Sequence, residues 1–246
     1  MMELNNIYLG DAYKLIKEVP DKSVDLIITD PPYEMSSGGT GKTELAIRFK
    51  DRYKELKDKK LDVGLDFSIL PEMERVCRYI YIYIWCNKTL LFKLINYYSQ
   101  REDILLDLIT WGKTNPMPLS NNHFLNDTEY CLCIHEKGKK WNSKVGANVK
   151  RKCYMTQVNK TDRKDYDFPC CKPTNIIENF ILNSSNEGDL IFDPFCGSGS
   201  TLISAKRLKR KYLGFELDEK TFDMASKRLK GENVRGELNL FDIDYD

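Results

Sequence analysis

The chain is poor in the features that mark several classes of protein. Its 246 residues hold 14 glycines and 9 prolines, too few for a collagen-like or low-complexity chain. Only two histidines are present, His123 and His135, and neither completes a ligand set. Cys131-x-Cys133 and Cys170-Cys171 also lack zinc-ligand spacing, so no metal is expected. The longest uninterrupted apolar run, Tyr79 to Cys86, is eight residues. A membrane helix needs ~20, so no membrane partner is expected. Net charge is nearly nil, with 38 Lys+Arg against 37 Asp+Glu, and aromatics reach 11%, which excludes a disordered polyelectrolyte. No basic segment leading into an apolar one follows Met1, so a secretory signal is not expected. The eight cysteines then read as reduced thiols and the expected location is cytoplasmic. At ~100–200 residues per domain, residues 1–246 read as one domain, or one domain carrying an insert.

The balanced charge hides an asymmetry. Between Lys137 and Asp165 stand ten basic residues, among them Lys139, Lys140, Lys144, Lys150, Arg151 and Lys152, against only Asp162 and Asp165. The formal net charge of the whole chain is +1, so the remainder is net acidic. Such a block is either a polyanion-binding surface or a solvated loop.

Periodicity lays out alternating elements. Val24 to Thr29 is β-branched and apolar and reads as a buried strand, preceded by a helix over Asp11 to Val19 that stops at Pro20. Arg78 to Trp85 alternates Tyr and Ile as a strand does, and Lys88 to Tyr98 has helical spacing. Ile104 to Trp111 and Glu129 to Ile134 are further strands, and Thr174 to Leu182 is an amphipathic helix. Leu190 to Asp193 is a short strand running into Gly197-Ser198-Gly199 and a helix to about Lys209. A strand at Tyr212 to Phe215 and a helix at Glu219 to Leu229 follow. Strands alternating with helices argue for an α/β fold with a mostly parallel sheet.

Two of these strand ends carry chemistry. Asp30-Pro31-Pro32-Tyr33 follows the buried strand, at the position where open α/β sheets bind ligands. The prolines restrict the backbone, so the Asp30 carboxylate and the Pro31 carbonyl offer two acceptors beside the flat Tyr33 ring. That set suits a planar ring bearing an exocyclic amine. The second, Asp193-Pro194-Phe195-Cys196-Gly197-Ser198-Gly199-Ser200, is a strand, a glycine loop and a helix. Glu216 closes the next strand, at the distance where an acidic residue accepts from ribose hydroxyls. Leu202 stands where a dinucleotide site has its third glycine, so a nucleoside without phosphates fits better. Phe168-Pro169-Cys170-Cys171-Lys172-Pro173-Thr174 and Gly10-Asp11-Ala12 complete the set.

Together these segments resemble the β class of S-adenosylmethionine-dependent DNA amino-methyltransferases, in which a catalytic Asp-Pro-Pro-Tyr precedes the cofactor loop. The resemblance runs from about Tyr8 to Leu229, and Trp111-x-Lys113-x-Asn115-Pro116-Met117-Pro118 and Asp127-x-Glu129-Tyr130 are similar to family segments as well. It implies a Rossmann-like, mostly parallel seven-stranded sheet with helices on both faces and a circularly permuted motif order. It also implies a target-recognition insert at 112–167, which takes in the basic block and favours DNA contact over a solvated loop. Asp30, Pro31, Pro32 and Tyr33 correspond to the catalytic motif. Asp193, Phe195, Gly197, Ser198, Gly199 and Glu216 correspond to the cofactor site, with Asp11 and Ala12 near the adenine and Asp30 and Lys172 towards the methionine end. Where the family often has His-Pro-Thr-Gln-Lys-Pro, this chain has Phe-Pro-Cys-Cys-Lys-Pro.

The implied reaction is methyl transfer to the N6 amine of a flipped-out adenine in double-stranded DNA, since Asp in first place usually accompanies adenine and Ser cytosine N4. Cytosine-N4 transfer and, further off, RNA or protein methylation are the alternatives. A homodimer and a cognate restriction enzyme are the further partners that the resemblance brings. Ser36 to Thr43 approaches a phosphate-binding P-loop, but Ser36 replaces its first glycine and five residues separate it from the strand. The charge run from Lys50 to Lys60 reads as a solvated helix or loop.

Overall fold

The computed structural model describes residues 2–34, 64–116, 124–139, 142, 145–157 and 171–232. Its elements in chain order are β1 (Asn6–Leu9), α1 (Ala12–Leu15, continued by a 3-10 turn at Ile16–Glu18), β2 (Leu26–Thr29), α2 (Ile69–Val76), β3 (Tyr81–Cys86) and α3 (Lys88–Tyr98). Then come β4 (Ile104–Lys113), β5 (Thr128–Glu136), β6 (Cys153–Thr156), α4 (Thr174–Ser184), β7 (Leu190–Asp193), α5 (Ser200–Arg207), β8 (Lys211–Glu216) and α6 (Glu219–Leu229). The P-loop-like stretch and the Lys50 to Lys60 run lie outside the described residues.

The strands form one sheet in the order β1-β8-β7-β2-β3-β5-β4-β6. Only the pairings of β5 with β3 and with β4 are antiparallel. The Rossmann-like reading therefore holds, with one strand more than the seven the resemblance implied. The addition is β6, which pairs parallel to β4 from Thr110↔Cys153 to Lys113↔Thr156.

Alternation along the strands builds two cores. Ile82, Ile84 and Cys86 of β3 face a cluster with Ile69, Leu70 and Met73 of α2 and Leu90, Leu91 and Leu94 of α3. Tyr81, Tyr83 and Trp85 face the other way, towards Ile177 and Phe180 of α4 and Leu202 and Ala225 of α5 and α6. The Tyr83 and Phe180 rings stack with centroids 4.5 Å apart. Three helices thus cover each face, which is why the central strands are apolar on both sides.

Helix ends follow their local chemistry. Asn87 caps α3 by accepting from the Leu90 N–H at 2.8 Å, and Asp218 caps α6 by accepting from the Thr221 N–H at 3.1 Å. Helix α2, which periodicity does not reveal, buries Ile69, Leu70, Met73 and Val76 and places Pro71 in its first turn, where a missing N–H costs no bond. Strand β5, which falls within the 112–167 stretch, lies between β3 and β4 in the sheet. No helix among the described residues is long and apolar enough to cross a membrane.

Candidate active site

Strands β2 and β7 are parallel neighbours whose following connections leave towards opposite cores, so a crevice opens at their carboxyl ends. The carboxyl ends of β1, β8, β7 and β2 succeed one another along this edge and bring Asp11, Glu216, Asp193 and Asp30 into one row. Three strand spacings set its length at ~14 Å.

Asp30 follows β2 directly. Its Oδ1 accepts from the Tyr33 hydroxyl in a short hydrogen bond, and its Oδ2 lies 2.5 Å from the Lys172 ammonium. Burial, and after it the Asp30 charge, push the Tyr33 hydroxyl well above its ordinary pKa, so it stays a donor. Pro31 is buried, which fixes the turn out of the strand. Lys172, 8% exposed, sits over the Trp85 and Tyr33 rings at 5.5 and 5.8 Å from their centroids. Its ammonium also lies 3.1 Å from Glu129 Oε2, while Glu129 Oε1 meets Lys113 at 2.6 Å. Burial works against the Glu129 charge, but Lys172 and Lys113 outweigh it and bring the carboxyl down to about 2. Lys172 thus stands on the Asp30 carboxylate itself.

Across the crevice the glycine loop leaves β7. Gly197 and Gly199 have φ of +51° and +74°, left-handed conformations that disfavour a side chain, and Gly199 opens α5. The Gly197 N–H donates to Glu216 Oε2 at 3.0 Å and the Asp218 N–H to Oε1 at 2.8 Å, so the carboxylate is tied to the loop from β8. Burial raises the Glu216 pKa, and those backbone donors oppose the rise. Below the loop, Arg228 of α6 is 1% exposed and donates to the Ser198 carbonyl and the Ser200 hydroxyl, each at 3.0 Å. Asp11 caps α1 by accepting from the Tyr13 N–H at 3.0 Å, and the Gly10 N–H donates to the Glu216 carbonyl at 2.8 Å. The Ala12 methyl packs into the core beneath. The Phe195 and Tyr13 rings meet edge to face at 5.9 Å, forming an aromatic wall beside Asp11.

Asp193, at the end of β7, is held from within the protein. It is 3% exposed, and its Oδ1 accepts from the Thr29 hydroxyl at 2.7 Å and the Phe195 N–H at 3.1 Å, which braces the two strand ends from inside. Burial pushes this carboxyl from 3.8 up to about 7, with hydrogen bonds from Thr29, Thr201 and Phe195 opposing. Between those values the folded protein holds a proton that the unfolded chain has lost, so this group's contribution to stability falls as pH rises from about 4 through 7. Asp193→Asn, which cannot ionise, is expected to gain Tm relative to the native chain on going from pH 5 to pH 8. A constant difference over that range contradicts the assignment.

The basic block is spread out by the fold. Strand β5 runs antiparallel to β3, so it starts at the active edge and carries Lys139 to the opposite one, where its ammonium lies 3.9 Å from the Tyr79 ring centroid. Lys139 is therefore not brought to the site. Asn142 of this stretch donates its amide to the Leu182 and Ser185 carbonyls at 3.1 and 3.4 Å. Tyr154 is buried against Phe180. Lys150 and Arg151 are exposed ahead of β6, Arg151 within 3.4 Å of Asn148 Oδ1, and Lys152 is ion-paired with Asp107. β6 then runs to the active edge, ending beside Lys113. Lys140, Lys144 and Cys170 lie outside the described residues.

No group of three or more His, Cys, Asp or Glu side chains among the described residues is arranged to hold a metal ion. Cys171 is buried, and burial pushes the Cys86 thiol near Asp30 up to about 12, so it is no nucleophile at neutral pH. Lys113, Glu129, Thr29 and Arg228 are site residues that motif reading did not single out. Glu129 and Lys113 did fall in family-like segments, but no local pattern tells that strand ends two positions apart in the sheet will share Lys172.

A doubly wound α/β sheet with a glycine loop, an acidic residue closing the next strand and an Asp-Pro-Pro-Tyr turn across the crevice defines a nucleoside-binding group-transfer site. The DNA methylase family model matches residues 24–227, and the chain belongs to that family. It is 32% identical over 239 residues to the type II methyltransferase M2.LlaDCHI of Lactococcus lactis subsp. cremoris, covering 89% of this chain and 87% of that protein. Among solved structures it is similar to the M1.HpyAVI–SAM complex, with TM-score 0.68, 26% identity and coverage of 91% of this chain and 98% of the other. The cytosine-N4-specific PvuII DNA methyltransferase shares the fold at TM-score 0.65 and 16% identity, covering 94% and 95% of the two chains.

Proposed function

We propose that the protein is a site-specific DNA methyltransferase that transfers the methyl group of S-adenosylmethionine to the N6 amine of a flipped-out adenine. The observation that carries this reading is Asp30, at the end of β2, across one crevice from the glycine loop of β7.

The residues present fit the cofactor. Gly197 and Gly199 open the loop backbone, the Glu216 carboxylate is fixed beside it as an acceptor for ribose hydroxyls, and Phe195 with Asp11 marks the end suited to the base. Asp193 serves the site by bracing Thr29 and Phe195. When bound, S-adenosylmethionine supplies an electrophilic methyl group on a sulfonium centre.

The chain's task is to make a poor nucleophile attack it. The adenine amine has its lone pair delocalised into the ring. Accepting its two N–H hydrogens at Asp30 and at the Pro31 carbonyl favours a pyramidal nitrogen and directs the freed lone pair into the crevice. Each carboxylate oxygen has two acceptor positions, so Asp30 receives the amine while Tyr33 and Lys172 keep it oriented. As the nitrogen–carbon bond forms, the methyl–sulfur bond breaks and leaves a neutral thioether, and the excess proton on nitrogen is taken up at Asp30. No covalent enzyme intermediate is needed. The base has to leave the duplex to reach this turn, and stacking on Tyr33 offsets ~1–3 kcal/mol of the unstacking cost.

Affinity for the duplex rests on phosphate contacts by exposed cations such as Lys150 and Arg151. Reversing both to Glu, and leaving Lys152 on Asp107, is expected to weaken duplex binding about tenfold and to flatten its salt dependence by about two phosphate contacts. The Kd for S-adenosylmethionine should stay unchanged. Fluorescence anisotropy with labelled duplex across a salt series measures both, and unaltered DNA affinity returns this stretch to a solvated loop.

A further inference from the structure

We propose that Glu129 is a positioning residue for methyl transfer, holding the Lys172 ammonium against the Asp30 carboxylate that receives the amine. This rests on the reading of Asp30 as that acceptor. Four alternating charges run from the reacting carboxylate into the sheet: Asp30, Lys172, Glu129 and Lys113. They come from three places in the fold, the end of β2, the segment ahead of α4, and the facing ends of β5 and β4. Lys172 is buried and its three companions half-buried, and drawing charges even partly out of water is costly, so the row is a poor way to stabilise a fold. What it does supply is a cation of fixed position beside Asp30.

Lysine needs that help. Its ammonium is a point charge on a flexible four-carbon stem, and Lys172 lies ahead of α4, outside any helix or strand. The Trp85 and Tyr33 rings bound its position on two sides. Glu129 Oε2, 3.1 Å away, opposes Asp30 Oδ2 at 2.5 Å, so the ammonium is held between two carboxylates. Lys113, 2.6 Å from Glu129 Oε1, in turn anchors that carboxylate, whose low pKa keeps it charged throughout the working pH range. Losing Glu129 frees Lys172 to leave Asp30, and the carboxylate then loses its orientation without losing its charge.

The test compares Glu129→Gln, Lys172→Met and the double variant in the full chain, with kcat measured on saturating DNA and S-adenosylmethionine and cofactor Kd by calorimetry. Glu129→Gln is expected to lower kcat about tenfold and to leave cofactor Kd within about twofold. Lys172→Met should lower kcat at least as much, and the double variant should be no slower than Lys172→Met alone, because both act through one contact. Native kcat in Glu129→Gln overturns the proposal, as does a double variant slowed by the product of the two single effects. If Glu129→Gln does not fold, Glu129→Asp keeps the charge and draws it back by one methylene. A similar kcat loss with intact cofactor binding supports the proposal there, and native kcat overturns it. Asp30→Asn separates the two readings. An inactive Asp30→Asn beside a fully active Glu129→Gln overturns only the role of Glu129, and an active Asp30→Asn removes the reading of Asp30 and this proposal with it.

Discussion

Replacing Asp30 with alanine is expected to lower kcat for DNA methylation by at least about 10³-fold while the Kd for S-adenosylmethionine changes less than about threefold. The separation follows from where the side chain stands. Its two oxygens face Tyr33 and Lys172 on the β2 side of the crevice, whereas the nucleoside site is built on the far side from the β7 loop, Glu216 and the end of β1. Alanine removes the acceptor for the amine and leaves the Lys172 ammonium facing the bound base, where its positive charge opposes the charge that develops on nitrogen. Stopped-assay kinetics with tritiated cofactor, beside calorimetry of cofactor binding, checks both halves. Near-native turnover would show that the amine is received elsewhere.

The second large effect is expected at Tyr33, and two substitutions divide its roles. Tyr33→Phe keeps the ring and loses only the hydroxyl that donates to Asp30 Oδ1, while Lys172 still holds Oδ2, so kcat should fall no more than about tenfold. Tyr33→Ala also removes the ring on which the proposed mechanism stacks the flipped base. A loss of ~1–3 kcal/mol corresponds to about 5- to 150-fold in kcat/KM for DNA beyond the phenylalanine variant. The increment should shrink on a substrate whose target base is already unpaired, because less unstacking has to be offset. Equal effects of the two substitutions would mean that the hydroxyl, and not the ring, is what matters.

Much of this architecture is legible in the sequence because its strongest elements obey one local rule each. β3 is buried along its full length and alternates aromatic with β-branched residues, and α3 runs from Lys88 to Tyr98 behind its Asn87 cap. Both read directly. The two motifs at the ends of β2 and β7 face each other for a topological reason, since parallel strands put their carboxyl ends on one edge.

What was not legible depends on pairing at long range. β6 is four residues with one buried side chain, Tyr154, and it becomes a strand only because β4 offers it an edge. The basic block looks continuous in the chain, yet antiparallel β5 takes Lys139 to the far edge while β6 returns towards the site. Asp193 reads as an acid of the cofactor site, and its bond to Thr29 of the neighbouring strand shows only in the fold. Lys172 meets Asp30 across 142 positions of sequence, a pairing that no local pattern shows.

The central claim is transfer of a methyl group to adenine in DNA, and nucleoside mass spectrometry tests it directly. Unmethylated DNA is incubated with the purified protein and S-adenosylmethionine, digested to nucleosides and analysed. The account predicts N6-methyladenine, absent when Asp30→Ala replaces the native chain. N4-methylcytosine would contradict the choice of base and keep the chemistry of the amine site. No methylated base, with cofactor binding intact, would contradict DNA as the substrate.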